Sequence, residues 1–296
     1  MAIIWISFTV EATLIPKCEI ICGDALEKLK DFPPCVIQCA VTSPPYYGLR
    51  DYGTPGQIGL ENSVEEYVSK LVSVASEIRR VLAEDGTFWL NLGDSYYNYR
   101  PGLGQKQSKQ SIAGEKFSEV ENCPKRGLVM NGLKEKDLML IPHRVALALQ
   151  ADGWWIRSEI IWHKRNSMPE SVKDRPTRNH EQIFLLSKGQ DYYYDWKAIQ
   201  EPSSSNGARN KRSVWSVTMS PSSDNHFAAY PPDLIRPCIL AGSRFGDTVL
   251  DPFAGKGTTG QVATELGRNS ILIELNPKYA AMCELTSNVT PSLPFL

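Results

Sequence analysis

The sequence predicts an α/β fold: a mostly parallel sheet with helices on both faces and ligands held at one edge. Three observations predict it. Apolar runs of strand length recur at residues 18–22, 36–41, 87–92, 154–162, 181–187, 248–251 and 271–274. Between the second and third runs, Val64, Tyr67, Val68, Leu71, Val72, Ala75, Ile78 and Leu82 recur at helical spacing, the crossover pattern of parallel strands. The run at 248–251 enters a glycine-rich turn, and an acid, Glu274, follows about 20 residues later, the offset at which such sheets hold a ribose hydroxyl pair.

In chain order, residues 1–10 are apolar but short, lack a basic leader and precede Glu11, so they read as an extra strand or a loosely attached terminus. The strand at 18–22 turns at Gly23-Asp24 into a helix from Ala25 toward Asp31, which Asp24 can cap. The run at 36–41 closes on Thr42-Ser43-Pro44-Pro45-Tyr46-Tyr47. Taken alone this is a proline-rich turn, yet it also suits gripping a flat amino-bearing group. The Pro44 carbonyl and Ser43 hydroxyl can accept from an NH2 while Tyr46 offers a ring face and Tyr47 packs below. Ser63-x-x-Glu66 is a capping box opening the long helix, which Gly86 is expected to end. Asn91 and Asp94 fall at the end of the next strand, where either can support the amino group or Ser43, and Asp94 can equally be a cap.

The apolar pattern lapses from 96 to 137, where bases outnumber acids, and again from 201 to 225. Both read as irregular insertions, functional or partly unordered, or else as solvated loops without a role. Between them a proline-started helix from Leu140 to Gln150 closes at Gly153, and the strands 154–162 and 181–187 bracket a loop of cations and amides. His163 and His180 read as satisfying local hydrogen bonds. A helix begins near Asp233 with Pro237 ending its first turn or kinking it, and further helices run from Thr258 to Leu266 and from Pro277 to Thr286. Lys256 precedes Gly257, not Ser or Thr, so the glycine turn is not a triphosphate loop and a nucleoside-bearing cofactor fits better.

Composition sets bounds. At 296 residues the chain can bury one large core or two modest ones, and 42% apolar against 22% charged residues excludes wholesale disorder. A net charge of −1 excludes a uniformly basic coat for nucleic acid but not a basic face. Cys18-x3-Cys22 and Cys35-x3-Cys39 could bind zinc, but they read better as buried reduced thiols of a cytoplasmic protein, with no metal. No apolar run is long enough to span a bilayer.

Ser-Pro-Pro-Tyr after one strand and Asp-Pro-Phe-x-Gly-x-Gly-Thr-Thr after another resemble the beta-class DNA amino-methyltransferases. The resemblance covers most of the chain and implies a single Rossmann-like methyltransferase domain with a seven-stranded type of sheet and permuted motif order. It implies S-adenosylmethionine as cofactor, flipped-out bases of double-stranded DNA as substrate, and a catalytic set of Ser43, Pro44, Pro45 and Tyr46 supported by Asn91 and Asp94. The cofactor set it implies is Asp24 and Thr42; Phe227 and Pro231; Asp251, Pro252, Phe253, Gly255, Gly257, Thr258 and Thr259; and Glu274 with Asn276. DNA contacts are expected from Arg50, from Lys164, Arg165, Arg175 and Arg178, and from Arg209, Lys211 and Arg212. The resemblance also implies that 96–137 and 201–225 are DNA-contacting segments, the first ordering only in part without DNA and the second carrying target-recognition residues. Ser rather than Asp at the head of the tetrapeptide is associated in that family with cytosine N4. Adenine N6, a catalytically silent DNA-binding relative, and RNA or small-molecule methylation are the alternatives. The site sequence, a companion restriction endonuclease and the oligomeric state stay open.

Overall fold

The computed structural model describes residues 16–49, 51–97, 132–167, 169–204, 207–219 and 230–287. The strands are β1 (Cys18–Cys22), β2 (Ile37–Thr42), β3 (Leu82–Leu92), β4 (Trp155–Lys164), β5 (His180–Ser187), β6 (Glu201–Ser203), β7 (Gly207–Arg209), β8 (Val214–Val217), β9 (Thr248–Asp251) and β10 (Asn269–Glu274). The helices are α1 (Ala25–Lys30), α2 (Val64–Val81), α3 (Ile141–Ala151), α4 (Pro232–Gly242), α5 (Thr258–Glu265) and α6 (Pro277–Ser287). Eight strands form one sheet in the order β1-β10-β9-β2-β3-β5-β4-β8, and β5 alone runs against its neighbours.

Strand alternation explains the two-sided core. In β3, Phe88 and Leu90 face Tyr67, Leu71 and Ile78 of α2 and Val145 and Leu149 of α3. Trp89, between them, faces the other way, onto Leu234, Ile235 and Ile239 of α4 and Val262 of α5. Both faces are therefore covered, which is why these strands read as nearly continuous apolar runs.

The strand order decides where chemistry can occur. The chain enters the sheet near one rim, and β2 lies between β9 and β3, so the two motif-bearing turns leave adjacent strands at the same edge. Crevices at such reversals of strand order are where open α/β sheets bind ligands.

Four expectations need correction. Gly86 does not end the long helix: α2 stops at Val81 and β3 begins at once, so Gly86 lies in the strand, where an added Cβ would come 3.0 Å from the Gln38 carbonyl. The segment 201–225 is not wholly irregular, since β6 and β7 form a hairpin and β8 adds an eighth strand beside β4. Cys22 and Cys35 are exposed, although Cys39 is buried as expected. Pro237 does not end a first turn, because α4 continues through it to Gly242. Residues 1–10 and most of 96–137 lie outside the described residues.

Candidate active site

At the shared edge a cleft of about 1040 Å³, counted to its open mouth, is lined by Gly23, Asp24, Ser43, Pro45, Phe253, Gly255, Glu274 and Asn276. Ser43 and Gly255 come from motifs far apart in the chain and meet here. A roof that sequence reasoning missed closes one side: Tyr52, Thr54, Gln57 and Ile58. This loop is pinned back by Gly48 N–H donating to Gly59 O at 2.6 Å and by Gly59 N–H donating to the buried Glu61 at 2.9 Å.

One wall presents a fixed carboxylate. Glu274 accepts from Gly255 N–H and from Asn276 N–H, both at 2.8 Å, through different oxygens. Burial pushes its carboxyl above the usual range, opposed by those two backbone donors. Gly255 has φ +55° and open space where a Cβ would stand, so the backbone itself faces the cleft. Asp24 both lines the cleft and caps α1, accepting from Glu27 N–H at 3.0 Å. A carboxylate with lone pairs to spare, an aromatic at Phe253 and bare backbone at Gly255 fit a nucleoside with ribose hydroxyls and a flat base.

Behind the wall lies a buried hub. Asp251, 1% exposed, accepts from Thr42 Oγ1 at 2.6 Å and Phe253 N–H at 3.1 Å on one oxygen. Its other oxygen accepts from Tyr230 Oη at 2.7 Å and Thr259 Oγ1 at 2.5 Å. Thr42, Asp251 and Thr259 are thus consumed in joining the two motif turns and stand behind the cleft. Gly257, φ +84°, packs on α6, where an added Cβ would sit 3.1 Å from Cys283 Cα. Pro231 caps α4 and lies outside the lining, its neighbour Tyr230 and the residues Pro252 and Thr258 taking wall positions. Phe227 and Arg50 fall outside the described residues.

The other side of the cleft carries a second cluster. Ser43 Oγ donates to Tyr46 Oη at 3.1 Å, and Tyr46 Oη donates to Glu181 Oε2 at 2.6 Å. Asn91 Nδ2 donates to both, at 2.8 Å to Tyr46 Oη and 2.9 Å to Glu181 Oε2. Lys164 Nζ pairs with Glu181 Oε1. The Tyr46 ring packs on Gly93, where a Cβ would come 2.4 Å from Cε2, so only glycine fits. The Tyr47 ring packs tilted against Tyr67 at 5.3 Å between centroids, and Tyr67 Oη donates to Pro45 O at 2.9 Å, tying the turn to α2. Pro44 is buried above an apolar gap lined by α2 and α3.

Asp94 is placed as a cap. It accepts from Ser95 N–H at 2.8 Å and from Ile141 N–H at 3.0 Å, supplying the side-chain partner that Leu140, at φ 55°, cannot give to α3. Arg178 sits 3.5 Å from it. Several cations expected at DNA are likewise engaged within the protein. Lys164 and Arg178 are mostly buried in ion pairs, Arg175 pairs with Glu170 at 2.6 Å and covers the Tyr96 ring, and Arg209 and Arg212 both donate to Glu201 Oε1 at 2.9 Å. Lys211 lies over the Trp215 ring, while Arg165 is exposed at the end of β4.

Comparisons with known proteins agree with this geometry. Residues 37–285 match a family model described as DNA methylase, covering N6 and N4 methyltransferases. The chain is 50% identical over 257 residues to the type II methyltransferase M.Cfr9I of Citrobacter freundii, covering 87% of this chain and 83% of that protein. It is 49% identical over 270 residues to the type II methyltransferase M.SmaI of Serratia marcescens, covering 90% of each. Among solved structures, the PvuII DNA methyltransferase (cytosine-N4-specific) shares the fold with a TM-score of 0.65 at 20% identity, over 93% of this chain and 91% of that one. The SAM complex of M1.HpyAVI does so with a TM-score of 0.57 at 18% identity, over 92% and 100%.

Proposed function

Because the chain belongs to the DNA methylase family and is an S-adenosylmethionine-dependent DNA methyltransferase, we propose that its target is the N4 amino group of cytosine in duplex DNA. The observation that supports a transfer at this place is the shared cleft: Ser43 and Pro45 form one wall, Gly255 and Glu274 the other. Neutral Ser43 at the head of the tetrapeptide supports cytosine over adenine, as in the cytosine-N4 type that the motif resembles.

S-adenosylmethionine supplies an activated methyl group on a sulfonium. Glu274 would hold the ribose hydroxyls and Phe253 the adenine ring, with Asp24 and Asn276 at the rim. The target amino group is a poor nucleophile because its lone pair is delocalised into the ring. Ser43 Oγ and the Pro44 carbonyl, each accepting one N–H, favour a pyramidal nitrogen and localise that lone pair. Holding the two reactants in line contributes on the order of 7 kcal/mol when the arrangement is ideal. The surplus proton leaves to water. The base must leave the duplex to reach Ser43, at a cost of a few kcal/mol, and the Tyr46 ring is the surface it stacks upon. The companion restriction endonuclease of a type II system is the partner that the similarity to M.Cfr9I and M.SmaI suggests.

The test incubates the protein with labelled S-adenosylmethionine and duplex DNA of diverse sequence, followed by nucleoside mass spectrometry. N4-methylcytosine is expected. N6-methyladenine would overturn the choice of base.

A further inference from the structure

The cluster beyond Ser43 has a direction, and that direction comes from Glu181. With the Lys164 ammonium at Oε1, Glu181 is a carboxylate and can only accept. At Oε2 it takes the single Tyr46 hydrogen, 2.6 Å away. Tyr46 Oη has then spent its donor and must accept from both remaining neighbours, Asn91 Nδ2 at 2.8 Å and Ser43 Oγ at 3.1 Å. Ser43 has one hydrogen, and this arrangement turns it inward. What remains on its oxygen is lone pairs.

Two further observations show that the carboxylate governs the cluster. Asn91 turns its amide nitrogen to Tyr46 and Glu181 although this leaves Asn91 Oδ1 buried without a hydrogen-bond donor among the described residues. The opposite amide orientation would set an oxygen against the carboxylate. Tyr46 is also held as a phenol, its ionisation pushed far up by burial and then by the Glu181 charge, so its hydrogen is always there to donate.

We infer that Glu181 is a positioning residue for methyl transfer: acting through Tyr46, it turns the Ser43 hydroxyl into an acceptor facing the target amino group. The inference rests on the reading that Ser43 accepts from that amino group. Lys164 serves the same end by occupying Glu181 Oε1 and leaving Oε2 to Tyr46 and Asn91, which gives a cation expected at DNA a place inside the protein.

The decisive substitution is Glu181→Gln. The carboxamide keeps the shape and can leave its oxygen on Lys164, but its NH2 then faces Tyr46. The Tyr46 hydrogen swings to Ser43, and the Ser43 hydrogen swings into the cleft, opposing an amino group. Single-turnover methylation of duplex DNA should slow on the order of 10²-fold, with S-adenosylmethionine affinity unchanged within about twofold. Ser43→Ala should slow it comparably, and the double variant Ser43→Ala/Glu181→Gln should be no slower than Ser43→Ala alone. An equal further loss in the double variant would overturn the inference, because Glu181 would then act independently of Ser43. Wild-type rates in Ser43→Ala would instead overturn the reading of Ser43 itself. If Glu181→Gln lowers the thermal midpoint, Tyr46→Phe replaces it in the cycle. It deletes the link, spares the ion pair, and should likewise add nothing once Ser43 is gone.

Discussion

Asp251 and Glu181, two of the carboxylates at the ligand edge, separate what builds the site from what aims it. Asp251 gathers Thr42, Tyr230, Thr259 and the Phe253 amide around itself, with all four donors supplied by the protein and Asp251 itself standing behind the cleft lining. Glu181 gathers Tyr46, Asn91 and Lys164, but its chain of hydrogen bonds runs on to Ser43, which lines the cleft. A closed polar hub fixes the relative position of two turns. An open one transmits an orientation to a ligand. The charge is handled differently too: Glu181 has an ammonium against it, whereas Asp251 has only hydrogen-bond donors, and its burial pushes its carboxyl up.

The largest effect should come from breaking the closed hub. Asp251→Ala leaves three buried hydroxyls and an amide without their acceptor, at ~1–3 kcal/mol for each group that finds no new partner. Urea unfolding should show a loss on the order of 3–5 kcal/mol. A loss below 1 kcal/mol would mean that the hub is not what joins the motifs. Asp251→Asn sharpens the point through pH. With a raised folded-state pKa, the protein binds the Asp251 proton more tightly than the unfolded chain does. That contribution to stability is full below the unfolded value and is lost as pH rises through the folded one. The Asn variant should show a flatter stability profile across that acidic window.

Disturbing the open hub should spare stability and cost rate. Gly93→Ala would push a methyl into the Tyr46 ring, and since Tyr46 carries the link to Ser43 we expect a roughly tenfold slower transfer. A tenfold fall in cofactor affinity with unchanged transfer would break the comparison. On the far wall the pattern should reverse. Glu274→Gln is expected to weaken S-adenosylmethionine about tenfold by calorimetry, some 1.4 kcal/mol. Because burial raises the Glu274 pKa, wild-type affinity should decline as pH falls through that raised value, and the Gln variant should lack this decline.

Much of the closed hub's surroundings was legible in the sequence, and so were Ser43, Tyr46 and Asn91 of the open hub, but not the acid that joins them. Thr42, Asp251 and Thr259 stand inside local motifs, so their neighbourhood could be read, although spacing could not say that they face inward rather than into the cleft. Glu181 opens a strand whose apolar run draws the eye to residues 183–186, and nothing local marks it. Its partners are set by register: β5 runs antiparallel to β3 and β4, pairing Leu92 with Gln182 and Trp162 with Glu181. That brings Glu181 to the edge beside the turn of Tyr46. The only available signal was an acid at the ligand end of a strand, with a lysine closing the strand before it. The roof at Tyr52–Ile58 was missed for a similar reason, since a polar loop announces neither where it folds nor what it covers.

The smallest expected effect concerns DNA, and it tests whether the open side of the site faces the duplex. Val217, at the end of β8, pairs with Lys164 at the end of β4, so these residues lie at the ligand edge. Arg209, Lys211 and Arg212 precede β8, whose start lies on the order of 10 Å from that edge at ~3.3 Å per residue. Two of the three already hold Glu201. Arg165 is exposed just beyond Lys164, and we propose it as a phosphate contact. Arg165→Ala should therefore reduce the slope of log affinity against log salt by about 1, the value of one phosphate contact. Replacing Arg209, Lys211 and Arg212 together by alanine should reduce it by clearly less than three such contacts. Fluorescence anisotropy with labelled duplex at a series of salt concentrations measures both. A full loss from the triple variant with none from Arg165→Ala would put the duplex along the β6–β7 hairpin and away from Ser43, and a base reaching Ser43 would then have to come from a different approach.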